Sequence, residues 1–168
     1  MITLARLREV LAYEPQTGIF TWRVTMGSRA IVGAIAGCRK RLRSGKYRIE
    51  IEIDGRRYKA HRLAWFYVTG EWPSLQIDHE DGDSENNRFL NLRDVTNATN
   101  AQNRKTAGPR STTGLLGVLR LRQGHRTYWQ SKIMANGVSH YLGTFPTPEA
   151  AHAAYMVAKR QLHPESTA

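Results

Sequence analysis

The chain has 168 residues, room for one ordinary domain or two small ones. Its hydrophobic content of 40% and charged content of 23% exclude a mainly disordered polymer, and its 25 Lys+Arg against 14 Asp+Glu leave a formal charge of +11. That balance suits a polyanionic partner, because neutralising phosphates releases counterions.

From the N-terminus, residues 2–13 predict a helix, with Leu4, Leu7, Val10 and Leu11 on one side and Arg6, Arg8 and Glu9 outside. Pro15 and Gly18 stop it, and residues 18–24 predict a strand. Six of the ten residues from Arg39 to Arg48 are basic, so this segment is expected to contact a polyanion or to form a mobile loop. In 46–54, Tyr47, Ile49, Ile51 and Ile53 alternate with polar residues. Asp54-Gly55 is a favoured hairpin turn and 56–61 is the returning strand. Residues 62–70 predict a short buried helix ended by Gly70, with His61 before it read as structural.

Residues 75–79 then predict a strand running into a polar loop, and 89–96 a strand that partners it. Asn97 or Thr96 would cap a helix starting near Ala98. Residues 104–114, rich in Gly, Pro, Ser and Thr, predict a linker. Three short strands follow, at 117–123, 127–135 and 139–145, with turns at Gly124 and Asn136-Gly137. Thr147 caps a last helix with Pro148 at its first position. Ala151, Ala154, Tyr155, Ala158 and Leu162 would form its apolar stripe and Pro164 its end.

Charge is uneven. Five carboxylates crowd into 78–85 (Asp78, Glu80, Asp81, Asp83, Glu85), whereas the chain from Lys105 onward has only Glu149 and Glu165 against eight cations. An acidic knot inside a basic chain asks for a cation. A calcium loop is a poor fit, because counting from Asp78 the sixth position is Asp83, where an EF-hand needs Gly. The single cysteine, Cys38, excludes internal disulfides and Cys-cluster zinc sites. No apolar run reaches the ~20 residues of a membrane span, and the first ten residues carry Arg and Glu where a signal peptide would be apolar. An intracellular, cytoplasmic protein without membrane partners is expected.

Residues 77–104 follow the pattern D-H-x-x-G-x(4)-N-R-x(2)-N-L-R-x(2)-T through Asp78, His79, Gly82, Asn87, Arg88, Asn91, Leu92, Arg93 and Thr96, with Asn100 and Asn103 beyond. This stretch resembles the HNH nucleases, especially the phage-type homing endonucleases of the H-N-N variety, and residues 1–105 resemble their N-terminal arm and core. The resemblance implies an α+β chain with a ββα-metal (His-Me finger) core behind a β-hairpin arm. It also implies one divalent ion, Mg²⁺ or Mn²⁺, on Asp78 and Asn100, with His79 as general base and Asn91 orienting it. The residue types suit phosphodiester hydrolysis, which needs an activated water, a Lewis acid and a near-neutral base.

Residues 113–165 resemble the ethylene-response-factor (Apetala-type) DNA-binding domain. The shared frame is Gly117-Val118, Trp129, Leu142-Gly143-Thr144-Phe145, and Thr147, Glu149, Ala150, Ala151, Ala153 and Tyr155; Leu119 stands where that family usually has Arg. The implied fold is a three-stranded antiparallel sheet on one helix. Its DNA-contacting candidates are Arg120, Arg122, Arg126, Trp129 and Lys132, joined by Arg39, Lys40, Arg41 and Arg43 from the first unit. A nuclease domain (1–105), a linker (106–112) and a DNA reader (113–165) are thus expected to act as a site-specific endonuclease. It would bind double-stranded DNA as a monomer on an asymmetric site. The rival expectations are a DNA-binding regulator with an inactive HNH-like core and a basic RNA- or ribosome-associated protein.

Overall fold

The structure is a computed structural model that describes residues 1–103, 107–108 and 111–163. Arg104, Lys105, Arg110, Pro164 and Glu165 lie outside the described residues, as do parts of the expected linker and the expected unit edges at 105 and 165. The chain is a mixture of short helices and small antiparallel sheets. It divides into two compact units, Met1–Asn97 and Ala98–Ala168.

In the first unit, helix α1 runs Leu4–Val10, and the Thr3 hydroxyl accepts the Arg6 N–H at its start. The helix is shorter than its periodicity suggests. Leu11–Glu14 instead forms strand β1, with Leu11 and Tyr13 inward, and pairs with β2 at Ile19–Trp22. Period-two burial overrides the helical pattern there, because Phe20 and Trp22 complete the same core from the facing strand.

A three-stranded sheet follows in the order β3–β4–β5, from Cys38–Arg41, Tyr47–Ile53 and Arg56–Lys59. The basic 39–48 segment is therefore a strand, a turn closed by Leu42 N–H to Lys46 carbonyl, and the start of the next strand. Asp54 and Gly55 make the expected turn, both at positive φ. Helix α2 spans Ala60–Thr69 and is capped by left-handed Gly70. It starts two residues earlier than expected, which brings His61 onto the helix. Ile51, Ile53, Ala60, Leu63, Ala64 and Phe66 join the α1 and β1–β2 side chains in one core.

Strands β6 (Gln76–His79) and β7 (Leu92–Val95) pair antiparallel, with Asp78 opposite Arg93 and His79 opposite Leu92. Phe89–Asn91, expected to be strand, is a single 3₁₀ turn leading into β7. Helix α3 (Asn97–Gln102) comes next, and the division between units falls after its first residue.

The second unit contains β8 (Val118–Gln123), β9 (Arg126–Ala135) and β10 (Val138–Phe145) in one antiparallel sheet with β9 central. Helix α4 (Pro148–Leu162) packs on this sheet. The Thr147 side chain accepts the Ala150 N–H, and Pro148 sits at the start as expected. Ala151 and Ala158 are buried, but Leu162 is exposed, and Lys159 and His163 are buried instead. The His163 ring nitrogen Nε2 bonds the Met134 carbonyl, which fastens the helix end to the sheet. A Cβ on Gly117 would fall inside the Tyr155 ring, so this glycine permits the closest approach of loop and helix. Among the described residues no helix is long and apolar enough to cross a membrane.

Candidate active site

The site is built on the end of β6. His79 is the last strand residue and is buried. Its Nε2 lies 3.4 Å from Asn87 Oδ1. The Asn87 amide faces that way because its Nδ2 donates to the Glu85 carbonyl, which leaves Oδ1 to accept. A proton on Nε2 therefore leaves the lone pair on Nδ1, where no hydrogen bond arrives from the described residues. Burial pushes the His79 imidazole below its ordinary range, against the opposing pull of Asn87, Asp81, Asp78 and Asp83.

Asn87 is itself buried, at 3% exposure. Its carbonyl accepts the Tyr13 hydroxyl at 2.6 Å, and the neighbouring Phe89 N–H donates to the Pro15 carbonyl. The β1–β2 hairpin thus holds the segment that holds the histidine. Gly18, in that hairpin's turn, has its Cα against the Asn87–Arg88 backbone, where a Cβ would come within 2.5 Å.

Asn91 acts elsewhere than expected. Its Oδ1 accepts the Asp81 N–H, and its Nδ2 donates to Asp81 Oδ1 and to the Asn86 carbonyl. Among the described residues it makes no hydrogen bond to the His79 ring; it pins the loop that follows. Its own carbonyl accepts the Glu80 N–H, one residue past His79. The expected orienting contact therefore falls to Asn87. In the sequence Asn87 is a fixed position of the D-H-x-x-G-x(4)-N-R pattern, with no role assigned to it.

The acidic knot is largely neutralised from within. Asp78 Oδ2 accepts from Arg93 Nη2 at 2.9 Å, the pair facing each other across β6 and β7. Burial raises the Asp81 carboxyl, but hydrogen bonds from Asn86, the Asp83 backbone and Asn91 outweigh it and hold it below the carboxylate range. Glu85 takes a two-bond clasp from Arg39 at 2.6 and 2.8 Å, and the Arg39 guanidinium also lies 4.2 Å over the Tyr47 ring. Arg39, Lys40, Arg41 and Arg43 are all exposed, and Arg39 is paired with Glu85 at the surface. Lys46 Nζ donates to the Gly82 carbonyl, a second tie between this hairpin and the acidic loop.

His61 is the other residue passed over. Its ring stands edge-on to His79, with centroids 5.1 Å apart at 87°. Burial, then His79 and the cations of Lys59, Arg62 and Arg48, push its imidazole down to about 3, so it is neutral at physiological pH. Its Nδ1 is buried with no hydrogen-bond partner among the described residues.

Asp78 offers one carboxylate, and Asn100 lies on α3 in the second unit. Among the described residues no three His, Cys, Asp or Glu side chains come together in a metal-binding group. Carboxylate and amide carbonyl oxygens are each donor types that suit a hard divalent ion keeping most of its water. Asp78 already faces positive charge, in Arg93.

In the second unit the register separates the expected DNA-contacting residues. Arg120 pairs with Trp129 and Arg122 with Thr127, on the side of Val118, Ser131 and Ile133 that packs on α4. Arg126 and Lys132 point to the opposite, open side, so the five do not form one surface. The register alternates without a break from 118 to 123, so Arg120 and Arg122 fall on the side of buried Val118.

The site thus brings together a buried imidazole, held at one nitrogen by Asn87, and the carboxylate-rich loop that follows it. Residues 58–102, from β5 through α3, match the family model described as HNH endonuclease. The chain is 26% identical over 126 residues to an uncharacterised HNH endonuclease of Acanthamoeba polyphaga mimivirus, covering 74% of this chain and 63% of that protein. It thus spans just under two thirds of the relative's length. The chain is also similar to a solved structure concerning DNA binding and cleavage by the HNH homing endonuclease I-HmuI. That match has 20% identity over 84% of this chain and 74% of the other, with a TM-score of 0.40, an overlap too low to argue from.

Proposed function

We propose that the chain is a site-specific endonuclease of the homing type that hydrolyses a phosphodiester bond in double-stranded DNA. The observation that carries the reading is His79, buried, neutral and held through Nε2 by Asn87, within a segment that matches the HNH endonucleases. In the reaction, His79 Nδ1 accepts the proton of the attacking water. Asn87 keeps the proton on the far nitrogen, and Asn91 keeps the loop beyond in place. Asp78 and Asn100 are the residues that would hold one Mg²⁺ or Mn²⁺, which when bound supplies charge stabilisation at the phosphoryl group and the leaving oxygen.

DNA is gripped by Lys40, Arg41 and Arg43 on the β3–β4 hairpin and by the second unit, which takes the role of an ethylene-response-factor-type reader joined through residues 106–112. A monomer on an asymmetric site is the expected form. Supercoiled plasmids carrying fragments of phage genomes, incubated with Mg²⁺, Mn²⁺ or EDTA, test the reading. His79→Ala should slow metal-dependent cutting by roughly 10²–10⁴-fold while DNA affinity holds. Tight binding by the wild type with no cleavage under any metal would turn the reading to a DNA-binding regulator.

A further inference from the structure

The open side of the second unit's sheet has no use in the chemistry above, and its composition is unusual for a surface expected to meet nucleic acid. Strand register places Leu119, Leu121 and Gln123 of β8 on it, with Arg126, Tyr128, Gln130, Lys132 and Met134 of β9, and Ser139, Tyr141 and Thr144 of β10. Four of these are large apolar or aromatic side chains in water: Leu119 is 41% exposed, Leu121 40%, Met134 57% and Tyr141 62%. Leu121 faces Tyr128 across the strands, and Tyr141 faces Lys132. The Tyr141 hydroxyl is 2.9 Å from Thr144 Oγ1, which fixes its ring on this side. From 117 to 145 the chain contains no Asp or Glu, so the only charges on the open side are positive.

A face without carboxylates, carrying Arg126 and Lys132 around an apolar centre, is complementary to a polyanion whose interior edge has apolar groups. Duplex DNA presents that combination in the major groove. There thymine alone contributes a methyl group, and a two-stranded or wider β ribbon fits the groove. Leucine has no hydrogen-bonding group with which to read guanine or adenine. Its means of discrimination is to cover a methyl. Residues two apart on a strand are about 6.7 Å apart, close to two base steps of about 3.4 Å. Leu119 and Leu121 thus match bases two steps apart along the groove.

We infer that the open sheet face selects thymine-containing duplex by covering thymine methyl groups with Leu119 and Leu121, while Arg126 and Lys132 hold the flanking phosphates. This rests on the second unit being a DNA reader and names what it reads. It also moves the reading residues from Arg120, Arg122 and Trp129, which share the helix-packed side, to the opposite side.

The test is equilibrium binding of the full chain in EDTA to three 30-base-pair duplexes: alternating dA-dT, the same sequence with deoxyuridine for thymidine, and alternating dG-dC. Covering one methyl is worth about fourfold in affinity, and two about fifteenfold. The wild type should therefore prefer the thymine duplex over its deoxyuridine counterpart by about tenfold. Leu119→Ala/Leu121→Ala, both at exposed positions, should abolish the preference and leave dG-dC affinity unchanged. Equal affinity of the wild type for the thymine and deoxyuridine duplexes overturns the inference, as does a preference that survives the double substitution. Tighter binding to single-stranded uridine-rich RNA than to any duplex overturns it too. Arg126→Ala/Lys132→Ala separates the two levels. Weaker binding to all three duplexes with no methyl preference in the wild type leaves the DNA reader standing without methyl selection. If neither double substitution alters binding to any duplex, the DNA-reader reading of this unit fails as well.

Discussion

Gly18 is far from His79 in sequence, and its substitution should disarm the site. Its φ is +75°, where any side chain is strained by about 1–2 kcal/mol. A Cβ there comes within 2.5 Å of Arg88 N and the Asn87 carbonyl carbon, and 2.9 Å of the Asn87 oxygen. These are backbone atoms, so the Asn87–Arg88 segment must retreat by about 0.9 Å to regain the 3.4 Å of ordinary contact. Asn87 Oδ1 is 3.4 Å from His79 Nε2, so a backbone shift of that size misplaces the partner of the ring. Crowding of this kind adds roughly 1–3 kcal/mol to the strain. Misplacement near 1 Å costs about 10²-fold in rate. Gly18→Ala should therefore lose roughly 2–5 kcal/mol of stability and about 10²-fold in single-turnover plasmid cutting, with DNA affinity held.

Gly55→Ala is the matched control. That glycine has φ +73° in the β4–β5 turn, and a Cβ there meets nothing within 4 Å. It should show only the strain, about 1–2 kcal/mol, and cut at the wild-type rate. Urea midpoints and single-turnover rates for the two variants read the difference. Equal losses in both would refute the claim that the turn positions the histidine through Asn87.

Asn87→Ala should slow cutting by roughly 10–100-fold, the usual effect of removing a partner that fixes a histidine tautomer, and should alter the acid limb of the pH–rate profile. Asn91→Ala should cost about 1–3 kcal/mol through the loosened loop and leave that limb in place; identical profiles would remove the distinction between them. For His61, the folded value near 3 lies below the ordinary 6.5, so as pH falls the unfolded chain takes the proton first. The stability this neutral ring contributes is whole above 6.5 and drains by about 1.4 kcal/mol per pH unit as pH falls toward 3. His61→Phe should flatten the fall in urea midpoint between pH 7.5 and 5, and an unchanged slope would sink the assignment.

Local signals in the sequence located most elements. Asp54-Gly55 and Asn136-Gly137 demand positive φ, and both do adopt it. Thr147-Pro148 starts its helix where capping chemistry says it must. What local signals could not supply is the partner. Leu11 and Tyr13 fit a helical stripe as well as a strand, and only Phe20 and Trp22 across the hairpin decide for the strand. The same limit hid the roles at the site. The spacing that places Asn91 beside a histidine says nothing of Asp81 and Asn86, which claim its side chain in space. Asn87 stands in the motif, but its contact with the ring depends on a segment that Tyr13, 74 residues away, anchors through the Asn87 carbonyl. Sidedness in the second unit follows parity: Arg120 and Arg122 share the side of Val118, and Leu119 and Leu121 share the other.

The ion pairs around the acidic loop do more for placement than for stability. Exposed pairs contribute at most about 1 kcal/mol, but the Arg39–Glu85 clasp is bidentate and stacked on Tyr47, so it fixes direction as well as distance. Together with Lys46 on the Gly82 carbonyl, it registers the β3–β4 hairpin to the loop that leaves His79. Lys40, Arg41 and Arg43 are exposed on that hairpin and its turn. On the proposed reading, a phosphate bound by any of them is set at a defined distance from the imidazole, because hairpin and loop are tied at two points. On the same reading, the Arg39–Glu85 pair offsets a carboxylate that would otherwise repel a phosphate approaching the loop.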